Sequence, residues 1–173
     1  MAWRLPAAEF KANSGREHGA GNRAAMRSLV DGGKQPGVLL YEDGEAVAWC
    51  AVAPRDEYIR LASSRVLAAV DDEKVWSVSC FFVAKKSRGK GLTVAVLEAA
   101  VEFARSQGAT NVEGYPRDLK TKLSPAFVWT GVLPTFVHAG FEEVARRSAK
   151  RPIMRKGGSG SAARSRKKDG AKR

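Results

Sequence analysis

The 173-residue chain predicts an α+β fold, a mixed central sheet flanked by helices in three layers. Three observations carry that expectation. Two apolar runs flank Asp43-Gly44, an apolar run at 75–83 leads through a glycine turn into a helical pattern that stops at Gly108, and a further strand pattern follows at 110–115. The first requires an antiparallel pair, and the other two together require a parallel pair joined by a crossover helix.

In chain order, residues 1–20 place Trp3, Leu5 and Phe10 among small and polar residues, with Gly15, Gly19 and Gly21 interrupting any long helix, so a loop or short helix is expected. Asn22 is positioned to cap a helix through Ala24, Ala25, Met26, Leu29 and Val30 that ends at Gly32-Gly33. The runs 37–42 and 45–52 then form a hairpin, because Asp43-Gly44 supplies the positive φ angles of a type I′ turn, and Pro54 closes the second strand. From Arg55 to Val70 the spacing of Tyr58, Leu61, Ala62 and Arg65 is compatible with helix, and Asp71-Asp72-Glu73 makes an acidic turn.

The run Val75–Val83 is rich in β-branched and aromatic residues, which favours a strand. Leu92, Ala95, Val96, Ala99, Ala100, Phe103 and Ala104 recur at spacings of three and four, so they share one helix face. Pro116 closes the next strand. Residues 117–133 mix Lys120, Lys122, Pro125, Phe127 and Trp129 and read as a loop over a pocket. Pro134 opens a short helix, and 141–145 with 151–155 form a closing hairpin.

Between strand and helix lies Lys86-Ser87-Arg88-Gly89-Lys90-Gly91. Its glycines leave backbone N–H groups uncovered at the positive end of the helix, where a phosphate can approach closely. A Walker A loop would need a glycine at Ala84 and a Ser or Thr at Gly91, and a dinucleotide fingerprint would need a glycine at Val94, so neither nucleotide motif fits.

This turn resembles the Q/R-x-x-G-x-G/A motif of the GNAT-type N-acetyltransferases, and Ala139-Gly140-Phe141 resembles that family's GF after its last helix. The resemblance spans roughly residues 20–155. It implies a GNAT-like sheet with splayed central strands, the pyrophosphate of acetyl-CoA on the turn amides and the pantetheine arm in the gap between the strands. The cofactor-binding residues implied are Phe82, Val83, Lys86, Ser87, Arg88, Gly89, Lys90, Gly91, Leu92 and Thr93, with an amide near Val83 polarising the thioester carbonyl. The reaction implied is direct transfer of an acetyl group to a primary amine, with a small-molecule acceptor expected. Two positions depart from the family pattern: Lys86 replaces Gln or Arg, and Phe136 stands where many members carry a tyrosine that protonates the departing thiolate.

For the general base, Glu113 on the strand beside the expected gap is the first choice, with Asp118, Glu57 and Glu73 as alternatives and proton loss through ordered water as another. For the acid, Tyr115 shares a strand face with Glu113; departure without an acid is the alternative. Trp49, Trp76, Trp129, Phe81 and Phe127 are candidates for an apolar acceptor pocket or for core. A CoA-binding module without catalysis is the competing reading that Phe136 suggests.

Composition bounds the rest. No apolar run is long enough for a membrane span, the amino-terminal residues lack a signal-peptide core, and a cytoplasmic protein is expected. Cys50 and Cys80 lie in apolar strand segments and are expected to be reduced and buried; His18 and His138 stand apart from any ligand cluster, so no metal is expected. Net charge is +12, of which residues 157–173 carry +5 behind a Gly/Ser-rich stretch. The expected organisation is one GNAT-like domain over 1–156 and a basic disordered tail over 157–173, through which alone nucleic-acid binding would arise. A monomer or homodimer is expected.

Overall fold

The computed structural model describes residues 1–15, 19–119 and 128–157. Six strands form one sheet in the order β1-β2-β3-β4-β6-β5, with β1 Gly37–Glu42, β2 Glu45–Pro54, β3 Val75–Val83, β4 Asn111–Gly114, β5 Glu142–Arg146 and β6 Pro152–Gly157. The β3–β4 pair is parallel and every other pair is antiparallel. The helix α4 (Leu92–Ser106) makes the crossover between β3 and β4. Asp43 and Gly44 have φ of 51° and 78°, as a type I′ turn requires.

The two faces of the sheet are covered differently. Ala48, Cys50 and Val52 of β2 pack with Val78 and Phe81 of β3 against Val96, Leu97, Ala100 and Ala104 of α4. Val78 and Phe81 are three apart yet share this face, because the register shifts so that Ser79 is an extra residue opposite β2. On the opposite face, α1 (Ala7–Gly15), α2 (Ala20–Asp31) and α3 (Ile59–Ala62) flank a second cluster of Ala53, Tyr58, Leu61, Leu67, Tyr115 and Ile153.

Two local expectations change. Arg55–Val70 is not a continuous helix but a 3-10 turn (Arg55–Glu57), the four-residue α3 and an irregular segment. Arg55 donates to the carbonyl of Leu67, and Arg147 donates to those of Ala68 and Ala69, so these carbonyls bind guanidinium instead of continuing a helix. Helix α2 begins before Asn22, after Gly19 in the left-handed region; the Asn22 amide instead donates to Ser14 Oγ on α1.

The splay predicted for the central strands is present. The β3–β4 ladder stops at Val78 and Gly114, leaving the last part of β3 without β4 as a neighbour. A phenylalanine fills the root of the fork. Phe136, on α5 (Leu133–His138), is fully buried and packs edge-on to Phe81 and Phe141 at 5.9 and 5.1 Å between ring centres. A Cβ on Gly114 would lie 2.0 Å from Phe136 Cε1, so glycine at 114 is what lets the ring reach β4.

Candidate active site

Sequence dictates an N-terminus on α4 that no side chain caps: Gly91, at φ 75°, precedes Leu92 and makes no side-chain hydrogen bond. Gly89 also lies in the left-handed region at φ 83°, and a Cβ on either glycine would meet no atom within 4 Å. The turn therefore faces open space with free amides at the positive end of a 15-residue helix, an arrangement that suits an anion. In front of it lies a cleft of about 590 Å³ lined by Phe81, Phe82, Val83, Ser87, Arg88, Gly89, Gly91, Leu92, Thr93, Val128 and Trp129.

One wall of this cleft is the open edge of β3. Phe81 N–H donates to the Trp129 carbonyl at 2.6 Å, and Arg88 Nε donates to the Val83 carbonyl at 3.1 Å. Peptide groups alternate in direction along a strand, so the Val83 N–H faces the same edge as that of Phe81, beyond the end of the β4 ladder. The Val83 N–H and the glycine turn lie along one groove.

Behind Trp129, which lines both spaces, is a second cavity of about 410 Å³. Trp3, Phe10, Met26, Trp49 and Tyr58 form much of its wall, with Ser79 and Cys80 from the bulged segment of β3.

The family model for the GNAT acetyltransferases matches residues 8–115, which is more than half of the chain. The chain belongs to the GNAT acetyltransferase family. It is thus an acyltransferase of a family that uses acetyl-CoA as donor. Solved structures with similar folds include a GNAT-family protein from Desulfovibrio desulfuricans (17% identity, TM-score 0.53, 89% of this chain and 94% of that one). Others are a ribosomal-protein-alanine N-acetyltransferase from Brucella melitensis (15%, 0.50, 80% and 77%) and a GNAT acetyltransferase from Streptococcus agalactiae (13%, 0.50, 83% and 76%). At these identities the likeness is one of fold. No curated protein matches the sequence at a significant level.

Within this GNAT fold the expected donor-site residues divide into two groups. Phe82, Val83, Ser87, Arg88, Gly89, Gly91, Leu92 and Thr93 line the cleft. Lys86 and Lys90 do not. Lys86 pairs with Glu45 and Lys90 with Glu42, at 3.0 Å, on the β1–β2 hairpin side of the turn.

None of the four candidate bases lines the cleft or the cavity. Glu113 is almost fully buried and engaged: Arg155 donates to its Oε1 at 2.7 and 3.1 Å, Tyr115 donates to Oε2 at 3.1 Å, and Arg55 lies at 3.6 Å. Asp118 pairs with Arg146, Glu57 with Arg4 and Lys34, and Glu73 sits in the acidic turn beside Asp71. Tyr115 is hydrogen-bonded to Ser77 and Arg55 as well, and burial, followed by the negative charge of Glu113, pushes its phenol well above the ordinary value. Both Glu113 oxygens are taken by hydrogen bonds away from the cleft, and a phenol held as Tyr115 is makes a poor donor. Glu113 and Tyr115 share a strand face as spacing predicts, but that face meets the second core cluster and not the cleft.

The aromatic candidates also divide. Trp49 and Trp129 line the cavity and Phe81 lines the cleft, whereas Trp76 packs edge-on against Phe103 in the core. Phe127 lies outside the described residues, as do His18 and residues 158–173 of the tail. His138 Nδ1 meets the Pro134 carbonyl, and among the described residues no group of His, Cys, Asp and Glu is placed to hold a metal. Both cysteines are free thiols. Among the described residues no helix is long and apolar enough to cross a membrane.

Sequence reading missed Tyr58, Trp3 and Arg4. All three line the cavity, and the hydroxyl, the indole nitrogen and one guanidinium nitrogen are buried without a partner. Their only sequence signal is an aromatic and basic cluster in segments that spacing treats as loop and helix.

Proposed function

We propose that this GNAT protein transfers the acetyl group of acetyl-CoA directly to a primary amine of a small molecule. The observation that carries the proposal is the uncapped, double-glycine turn beside the part of β3 that lacks β4 as a neighbour, with a second cavity behind Trp129. Bound in the cleft, acetyl-CoA supplies an activated acyl group as a thioester.

The residues of the chain divide the remaining work. Amides at Gly89, Gly91 and the first turn of α4 hold the diphosphate, assisted by Arg88. The Val83 N–H on the open edge of β3 donates to the thioester carbonyl and stabilises the negative charge that grows on its oxygen. The cavity holds the amine, and its apolar walls, Trp49 and Trp129 among them, exclude water from the reacting groups. With Glu113 and Asp118 committed to arginines, no carboxylate among the described residues is placed to take the amine's proton, so it leaves through water at the mouth of the cleft. Phe136 provides no acid, being buried at the root of the fork. That burial also favours a second reading, a CoA-binding module without turnover.

Calorimetric titration with acetyl-CoA, wild type against Gly89→Val, tests the donor site. Valine at φ 83° is strained by more than the roughly 1–2 kcal/mol of an ordinary left-handed residue, so affinity should fall at least about tenfold. Unaltered affinity would remove the diphosphate from this turn. Release of CoA thiol across an amine panel separates the two readings: binding without release against every amine selects the non-catalytic one.

A further inference from the structure

Granted amine acetylation at the cleft, the cavity behind Trp129 carries information about the acceptor. Three polar atoms in its wall are buried without a hydrogen-bond partner: Trp3 Nε1, Arg4 Nη2 and Tyr58 Oη. Leaving such a group unpaired is costly, and three in one wall mark a place that a ligand completes. All three can donate. Indole and guanidinium nitrogens have no other role, and burial raises the Tyr58 phenol to about 12, so it keeps its proton even though the positive charge of Arg4 offsets part of that rise.

Positive charge predominates around the cavity. Among the described residues no Asp or Glu lines it. Arg4 holds Glu57 through Nη1 and sits with its guanidinium carbon 4.6 Å from the centre of the Tyr58 ring, leaving Nη2 unpartnered. Arg60 and Arg151 each lie 5.8 Å from the centre of the Trp3 ring. Arg151 keeps Nε and Nη2 buried and unpartnered, as Arg117 keeps Nε. An ammonium offers only donors and meets no carboxylate among the described lining residues, so a polycationic amine or a simple alkylamine leaves the donor-only groups of Trp3 and Arg4 unpaired. The remaining wall is aromatic and aliphatic, and its size is in the range of small-molecule sites.

We propose that the acceptor is a free amino acid with a large apolar side chain, its carboxylate held by Trp3, Arg4 and Tyr58 and its side chain against Phe10, Met26 and Trp49. The amino group loses one proton to solvent. Its nitrogen then forms a bond to the acetyl carbon as the carbon–sulfur bond breaks, the electron pair leaves on the CoA sulfur, and the second nitrogen proton ends on that sulfur. The products are an N-acetyl amino acid and CoA.

The test compares kcat/KM, by CoA-thiol release, for phenylalanine, tryptophan and leucine against phenethylamine, tryptamine and phenylalaninamide. The amino acids should lead their decarboxylated counterparts by about tenfold or more, as expected when buried donors are left unpaired. Tyr58→Phe removes one donor and keeps the ring, and Trp3→Phe removes one donor and keeps an aromatic side chain, though a smaller one. Both should narrow the phenylalanine-to-phenethylamine ratio several-fold, while unchanged acetyl-CoA affinity reports that each variant is folded. Titration of phenylalanine into the protein saturated with CoA gives a readout independent of turnover. Equal use of phenethylamine, a better rate on an alanine-initiated peptide, ratios unmoved in both variants, or no phenylalanine binding to the CoA complex would each overturn the proposal. Failure of acetyl-CoA itself to bind would instead overturn the acetyl-transfer reading beneath it.

Discussion

Gly114→Ala should be far more damaging than its one added methyl suggests. The new Cβ would stand 2.0, 2.6 and 3.0 Å from Cε1, Cζ and Cδ1 of Phe136, whereas carbon atoms rest about 3.5–4.0 Å apart. The ring must therefore recede by about 1.5 Å. It has nowhere to go: Phe81 and Phe141 hold it edge-on, and a Cβ built on Gly131 would lie 2.8 Å from Cε2, which shows how close the backbone stands there. Overpacking of this kind costs about 1–3 kcal/mol and at times more, and the upper end is expected because the neighbours are backbone and aromatic rings. For a chain of this size each kcal/mol lowers Tm by about 2–4 °C, so a loss of about 6–12 °C is expected. Urea unfolding gives the free energy and thermal melting the shift. In a Phe136→Leu background the clashing ring edge is gone, and the cost of Gly114→Ala should fall below about 1 kcal/mol, a coupling within the range that contacting residues show. An alanine variant that melts within a degree of wild type, or one that costs the same in both backgrounds, would refute this account of the fork.

Phe136→Tyr should not restore a catalytic acid: the ring tip points at Gly114, so the added hydroxyl is buried without a partner, costing about 1–3 kcal/mol in urea unfolding with no gain in kcat. A rise in kcat would place the ring differently. Lys86→Met removes an exposed pair with Glu45 and should change acetyl-CoA affinity less than Gly89→Val does, a ranking that calorimetry can reverse. Arg155→Met takes a guanidinium from both Glu113 and Asp71; leaving Glu113 short of its main partner should destabilise by about 3–5 kcal/mol, measured in urea. The same change should raise the Asp71 carboxyl, now held below 3.8 chiefly by its hydrogen bonds from Arg155, as carbon NMR titration would show. Because the folded value is the depressed one, the Asp71 contribution is present above pH 3.8 and fades as pH falls through the folded value. The variant should lack that acid-side loss, and an unmoved Asp71 titration would contradict the pairing.

Much of the donor side was legible because short-range rules govern it. Asp43-Gly44 needed no distant partner to define a hairpin, and Val75–Val83, the glycine turn and the stripe from Leu92 to Ala104 specify strand, cradle and helix from spacing alone. The segment after Arg55 was not legible. Its apolar spacing allows a helix, but guanidiniums from Arg55 and the distant Arg147 bind the carbonyls of 67–69, and no local pattern announces an arginine arriving from 78 residues away. The same limit applies to Glu113. Its position beside the gap suggested a base, while Arg155, reached only through the β4–β6 pairing, engages that carboxylate.

What the sequence by itself determined is the family, the strand–turn–helix that presents uncapped amides, and the absence of a tyrosine at 136, since each depends on residue identity at fixed short separations. Tertiary structure alone decided where the side chains go once the strands part. It buried Phe136 against Gly114, turned Lys86 and Lys90 toward the hairpin, tied Glu113 to Arg155 and Arg55, and gathered Trp3, Arg4 and Tyr58 around one cavity. These outcomes rest on contacts between residues tens of positions apart, where packing and desolvation select the partner.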